Sequence, residues 1–217
     1  MTQTATHVQP LSEHLPRENI IKRRRIIISR LMMWPVFLVL LFTASKWEIH
    51  PRIAGGLFLV GCFLVALATI GRIWCSLYIC GYKTKSLIVE GPYSLCRNPL
   101  YLFSAMGATG VALATETMII PCLLILVFSV FYPFVIRGEE GKLLAIHGEP
   151  YRRYMDTVPR FWPRSLQAAE PLSYVIVPRK IRRALIDSLW FVWIIGLIEF
   201  AEALRDTGVL ATWWTLY

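Results

Sequence analysis

The sequence predicts an all-α integral membrane protein of about five transmembrane helices with a cytosolic helical cap over the binding site. Three observations carry that expectation. The 217 residues are 56% hydrophobic and only 17% charged, with mean hydropathy +0.52, which leaves too little polar material for a separate soluble domain. The apolar residues are gathered into runs that approach the thickness of a bilayer. The basic residues stand in short blocks beside those runs, so the net charge of +9 reads as membrane orientation and not as nucleic-acid binding.

Residues 1–30 are a polar arm with Pro10, Pro16 and no apolar period, ending in the basic block Lys22-Arg23-Arg24-Arg25. About twenty polar residues precede that block and no small-residue cleavage site follows the apolar run behind it, so the form is not that of a signal peptide and the first span is expected to remain. Residues 31–82 hold two spans. The first covers residues 31–45, where Pro35 can introduce a kink. The second covers residues 53–71 and contains Gly55, Gly56 and Gly61, which permit close helix approach. Arg72 then interrupts, and residues 73–79 continue toward the interface.

Residues 83–163 form the core of the chain. A third span, residues 99–115, meets a fourth, residues 118–136, through little more than Glu116, so the two must form a tight antiparallel hairpin. Gly107 and Gly110 favour close packing, and Pro121 and Pro133 bend the fourth span. The spacing of Leu143, Leu144 and Ile146 predicts that this helix runs on past the membrane until Gly148 stops it. A short helix from Pro150 places Tyr151 and Tyr154 on one face, and the prolines of residues 158–163 keep that stretch extended.

Residues 164–217 comprise a looser linker, a second basic block (Arg179-Lys180-Ile181-Arg182-Arg183) and a last apolar run, residues 184–204, carrying Asp187, Glu199 and Glu202. Its apolar core is short, so an interfacial helix stands as the alternative to a fifth span. With five spans and the N-terminus inside, 20 of the 23 Lys and Arg fall on the cytosolic side, together with the polar motifs. The five cysteines, at 62, 75, 80, 96 and 122, form neither a disulfide framework nor a zinc pattern, and no metal site is expected.

The chemistry is concentrated at Gly91-Pro92-Tyr93 and Arg97-Asn98-Pro99-Leu100-Tyr101. Asn98 is a favourable N-cap and Pro99 a favourable first helical residue, so a helix begins there with its unpaired amides and partial positive charge at the membrane surface. Such an end suits a carboxylate or phosphate. The hairpin must bring Glu139 and Glu140 beside it. The combined set offers amides and Arg97 for a carboxylate, acids for an ammonium or ribose hydroxyls, and tyrosine faces for a sulfonium. S-adenosylmethionine carries all of these groups. The alternative for the two acids is a solvated helix face just outside the membrane.

In order, these motifs, the hairpin, Glu139-Glu140, Gly148-Glu149-Pro150-Tyr151-Arg152-Arg153-Tyr154 and Val158-Pro159-Arg160 resemble the isoprenylcysteine carboxyl methyltransferase family and its bacterial relatives. The resemblance covers roughly residues 83–163. It implies an integral membrane methyltransferase using S-adenosylmethionine, with Lys85, Ser86, Leu87, Ile88, Tyr93, Asn98, Pro99, Leu100, Tyr101 and Glu139 lining the cofactor. Glu139, Glu140 and Arg97 are the expected catalytic groups. The chain departs from the family at Asn98, where the family usually has His, and at Val135, where it has an arginine linked with the methyl acceptor.

The expected acceptor is lipid-like or membrane-delivered, first a carboxylate of the isoprenylcysteine type, which is already ionised and needs no base. A phospholipid amine or a small thiol would need deprotonation, with Glu140 or His147 as candidate base. Tyr151, Arg152 and Tyr154 are expected to pack the cap and hold the site closed. A noncatalytic membrane adaptor on the same scaffold is the reading from another class.

Overall fold

The helices form where apolar runs are uninterrupted by turn chemistry, and they end at glycine or proline. A computed structural model describes residues 43–44, 51–80, 86–209 and 214–215, all within one compact unit, Phe42–Tyr217. The elements are β1 (Thr43–Ala44), α1 (Pro51–Ile79), α2 (Pro92–Leu95), α3 (Pro99–Leu113), α4 (Ile119–His147), α5 (Glu149–Thr157), α6 (Pro178–Asp206) and β2 (Trp214–Thr215). The two short strands pair in parallel, Thr43 with Trp214 and Ala44 with Thr215. The polar arm, the first expected span apart from Thr43–Ala44, and Lys85 lie outside the described residues, and those two residues are strand, not helix.

Three helices, α1, α4 and α6, are long and apolar enough to cross a membrane. At 29 residues each they reach about 44 Å, more than the roughly 30 Å of hydrocarbon. The expected third span is shorter than the sequence suggested. Helix α3 has 15 residues and spans about 22 Å, because the backbone turns at Ala114 and Glu116 takes a positive φ of 54°. Among the described residues there are therefore three long apolar helices and one short one.

Arg72 does not interrupt α1, whose backbone continues unbroken from Pro51 to Ile79. The second basic block is not a separate segment either. It fills the opening turns of α6, whose first residue is Pro178, so the helix starts six residues before the apolar run does.

Two glycines set the distance between α1 and α3. A Cβ on Gly61 would lie 2.6 Å from the Gly110 carbonyl oxygen, and one on Gly110 would lie 2.7 Å from that of Gly61, so the backbones touch. Gly107 gives the ring of Phe191 its place against α3, which seats α6 on the same helix. Gly55 and Gly56, expected to serve similarly, face open space. Helix α4 packs less closely and exposes Leu123, Leu126, Val130, Phe131 and Phe134, as a lipid-facing helix does. The inner core gathers Cys75, Tyr78 and Tyr93, with Trp74, Ile88, Phe103 and Tyr174 around them.

Candidate functional site

The end of the bundle where α3 begins is built from three short pieces and the far end of α4. Gly91 has φ +59°, and a Cβ there would meet the Tyr78 ring at 2.3 Å, so only glycine can start the turn leading into α2. Pro92 and Pro99 open α2 and α3. Asn98 occupies the N-cap position of α3, but its side chain does not cap the helix. Its Nδ2 donates to the Arg160 carbonyl at 3.1 Å, tying the 158–163 stretch to the helix start. The Arg97 amide donates to the Pro159 carbonyl at 2.8 Å and strengthens the same tie.

Glu140 stands at the centre. It is only 4% exposed, which a carboxylate tolerates when it is paired. Arg97 Nε donates to its Oε1 at 3.0 Å, and Arg160 donates to its Oε2 from Nε at 3.0 Å and from Nη2 at 2.8 Å. Arg97 also donates from Nη1 to the carbonyls of Met155, at 2.5 Å, and Val158, at 3.2 Å, which satisfies the C-terminal end of α5. One carboxylate thus joins α4, the α3 start, α5 and the extended stretch. Arg97 and Glu140, expected as catalytic groups, are engaged with each other, and Arg97 also with backbone.

Glu139 differs from its neighbour. It is half-buried, with no hydrogen bond or ion pair to another described residue. Seven residues earlier on α4, on the same face, is Tyr132. Its ring is stacked on Phe128 at 4.6 Å and lies edge-on to Tyr101 at 5.2 Å and to Phe161 at 6.5 Å. Four aromatic rings from α3, α4 and the extended stretch therefore gather at the helix start. Of these only Tyr101 is a binding residue expected from the sequence. Tyr132 is signalled by its spacing of seven and eight residues ahead of Glu139 and Glu140, and Phe128 by lying a further four ahead on the same helix.

The remaining expected residues divide. Pro99 is buried and Leu100 half-buried at the α3 start, beside Tyr101. Tyr93 lies in the core instead, 7% exposed, its hydroxyl without a hydrogen-bond partner and its carbonyl accepting from Tyr154 Oη at 2.7 Å. Ile88 packs against that core, Leu87 is half-buried and Ser86 is exposed. His147 ends α4, with Nε2 buried and unpartnered.

Tyr151 and Tyr154 are both buried on one face of α5, as their spacing predicted, while Arg152 is exposed. Burial pushes the Tyr151 phenol up to about 12, with the neighbouring Glu140 adding to it, and pushes those of Tyr154 and Tyr93 up as well. None of the three is a base at neutral pH. The linker proves to be a strap: Gly91 donates to the Ala169 carbonyl at 2.8 Å, Ala169 donates to Ser94 Oγ at 2.8 Å, and Tyr174 Oη donates to the Tyr78 carbonyl at 2.5 Å. All five cysteines are free, and no metal-binding group of His, Cys, Asp or Glu occurs among the described residues.

Long apolar helices and a buried ionic clamp at one end of the bundle occur here in the sequence of a membrane methyltransferase family. The chain belongs to the isoprenylcysteine carboxyl methyltransferase-like group of these proteins: a family model described as phospholipid methyltransferase matches residues 51–149, from α1 to the start of α5. It is 36% identical over 206 residues to the cobalt-zinc-cadmium resistance protein CzcN of Cupriavidus metallidurans, covering 94% of this chain and 93% of the relative. It is 34% identical over 197 residues to the nickel-cobalt-cadmium resistance protein NccN of Alcaligenes xylosoxydans xylosoxydans, covering 91% and 92%. No solved structure matches it.

Proposed function

We propose that the chain transfers a methyl group from S-adenosylmethionine to a lipid-like, membrane-delivered acceptor, with a carboxylate of the isoprenylcysteine type as the preferred nucleophile. The observation that carries this reading is the pairing, on one face of α4, of the half-buried, unengaged Glu139 with the aromatic group around Tyr132 and Tyr101. A carboxylate without a protein partner suits hydroxyl or ammonium donors, and ring faces suit a cation, so the residues present fit a sulfonium-bearing nucleoside. When bound, S-adenosylmethionine supplies an activated methyl group.

The chain's own residues then do three things. Tyr101 and Tyr132 face the cationic end, and Glu139 accepts from the polar end about two turns further along α4. Pro99 and Leu100 form the floor at the α3 start, whose first-turn amides lack intrahelical partners. Arg97, Glu140 and Arg160 hold α5 and the 158–163 stretch over the site, which excludes water and fixes the aromatic rings. A carboxylate acceptor fits this equipment because it needs no base, and Glu140 is already held by two arginines.

The phospholipid amine remains the second reading, favoured by the description of the matching family model. The relatives' names refer to metal resistance and identify no acceptor. The site is assigned to the cytosolic face, supported by the basic residues Arg137, Lys142, Arg152, Arg153 and Arg160 at this end of the chain's helices.

Calorimetry of S-adenosylmethionine binding to detergent-purified protein tests the proposal. Glu139→Gln and Tyr101→Ala should each weaken binding about tenfold or more, the scale of a lost charged hydrogen bond or a desolvated cation–π contact. Absence of binding to the folded wild type, with lipid restored, overturns it in favour of an adaptor. Mass spectrometry of methylated products then separates a carboxyl ester from a methylated phospholipid amine.

A further inference from the structure

Arg72 is a half-buried cation that the clamp around Glu140 does not use. It lies on α1 at the level of Ser104, which is five residues into α3 and so about 7 Å below the start of that helix. Its Nη1 donates to Ser104 Oγ, which itself donates to the Leu100 carbonyl at 2.6 Å. Its guanidinium carbon lies 5.5 Å from the centroid of the Phe191 ring of α6. Its Nε is buried and has no partner, and no carboxylate among the described residues lies within ion-pair distance. Asp187 of α6 lies beyond ion-pair distance.

A guanidinium stays charged and presents five donors in a planar fork. Inside a membrane domain such a group marks a functional site when nothing neutralises it. Here one donor is held by a neutral hydroxyl and another is buried without an acceptor, so the fork is set in place but not satisfied. Three helices meet around it: α1 supplies Arg72, α3 Ser104 and α6 Phe191. Ser104 in turn bonds Leu100 at the α3 start, so an anion held by Arg72 lies next to the proposed methyl-donor site.

We propose that Arg72, oriented by Ser104 and Phe191, docks the oxyanion of the membrane-delivered acceptor, either the carboxylate of an acidic lipid or the phosphate of a phospholipid. The assignment rests on the methyl-transfer reading for its role but not for its binding chemistry.

The test is lipid binding to the full-length protein in neutral-detergent micelles. Oleate is compared with oleyl alcohol, and phosphatidylethanolamine with diacylglycerol, with S-adenosylmethionine affinity measured in parallel on every variant. Wild type should prefer one of the two oxyanion-bearing lipids at least tenfold over its counterpart, oleate over oleyl alcohol for a carboxylate acceptor and phosphatidylethanolamine over diacylglycerol for a phosphate-bearing one. Arg72→Gln should abolish that preference, Arg72→Lys should keep part of it, and all three proteins should bind S-adenosylmethionine alike. No preference in the wild type, or a preference that survives in Arg72→Gln, overturns the proposal. If Arg72→Gln does not fold, Ser104→Ala decides: the preference should fall about threefold, and its full retention overturns the proposal. A wild type that binds no S-adenosylmethionine yet shows an Arg72-dependent lipid preference refutes methyl transfer and leaves the docking site standing.

Discussion

Arg97 and Glu140 meet at 3.0 Å across 43 residues of sequence, with both side chains less than a tenth exposed. The pair closes the hairpin end, because Arg97 belongs to the α3 start and Glu140 to the last third of α4. Removing one partner of a buried pair leaves an uncompensated charge and costs about 3–5 kcal/mol. Glu140→Ala should therefore lower the melting temperature in detergent markedly, since it strands both Arg97 and Arg160. Arg160→Ala should cost much less, its side chain being 42% exposed. Equal melting temperatures for wild type and Glu140→Ala would show that the pair does not hold the cap.

The aromatic group makes a different prediction, because ring faces attract a sulfonium but gain nothing electrostatic from a neutral thioether. Tyr132→Leu should weaken S-adenosylmethionine binding by about 0.5–2 kcal/mol, or roughly 2- to 30-fold, and leave S-adenosylhomocysteine affinity nearly unchanged. Parallel calorimetry on the two ligands measures it. An equal loss for both would mean that Tyr132 only shapes the wall.

Local chemistry made much of this architecture legible. Gly148, with φ +58°, stops α4 where the sequence places the stop, and Tyr151 and Tyr154 share the buried face that their spacing sets. The hairpin follows from two apolar runs with almost nothing between them, and it forced the encounter of Arg97 with Glu140. What stayed hidden depends on partners distant in sequence. Arg72 reads as an interruption because a charge in an apolar run is unfavourable until Ser104 and Phe191 are brought to it. Asn98 is a favourable cap by type, but the Arg160 carbonyl competes for its side chain and wins. The linker reads as loose because nothing local reveals that Ala169 and Tyr174 bind the turn at Gly91 and the end of α1. The short α3 follows from one residue, Glu116, taking a left-handed turn that its type does not advertise.

High pH should loosen the cap. Burial raises the Tyr151 phenol from an ordinary value of 10.0 to about 12 and the Cys96 thiol from 9.0 to about 11. A group whose folded pKa is raised contributes stability that is complete below its unfolded pKa and lost as pH rises through the folded one. Stability should therefore be flat from pH 7 to about 9 with respect to these groups, then fall, with Cys96 contributing between about 9 and 11 and Tyr151 between about 10 and 12. Melting curves across that range check it. Tyr151→Phe should lessen the fall in the upper part and Cys96→Ala in the lower, while unchanged slopes in both would place the alkaline loss elsewhere.

The backbone contact between α1 and α3 predicts an asymmetry among the glycines. At Gly61 a Cβ would press on the Gly110 carbonyl oxygen at 2.6 Å and the Ala114 amide at 2.9 Å, and backbone cannot step aside as a flexible side chain can. Gly61→Ala should cost about 1–3 kcal/mol, the range of an overpacked interior. Gly55→Ala and Gly56→Ala on the same helix meet nothing within 4 Å and should be neutral or slightly stabilising, because alanine favours the helix by about 1 kcal/mol over glycine. Because α3 also carries Ser104 and begins at the binding site, a helix pushed outward by Gly61→Ala should weaken S-adenosylmethionine binding as well as lower the melting temperature. Gly55→Ala should do neither. Similar behaviour of the two variants would mean that the Gly61 contact does not fix the position of α3.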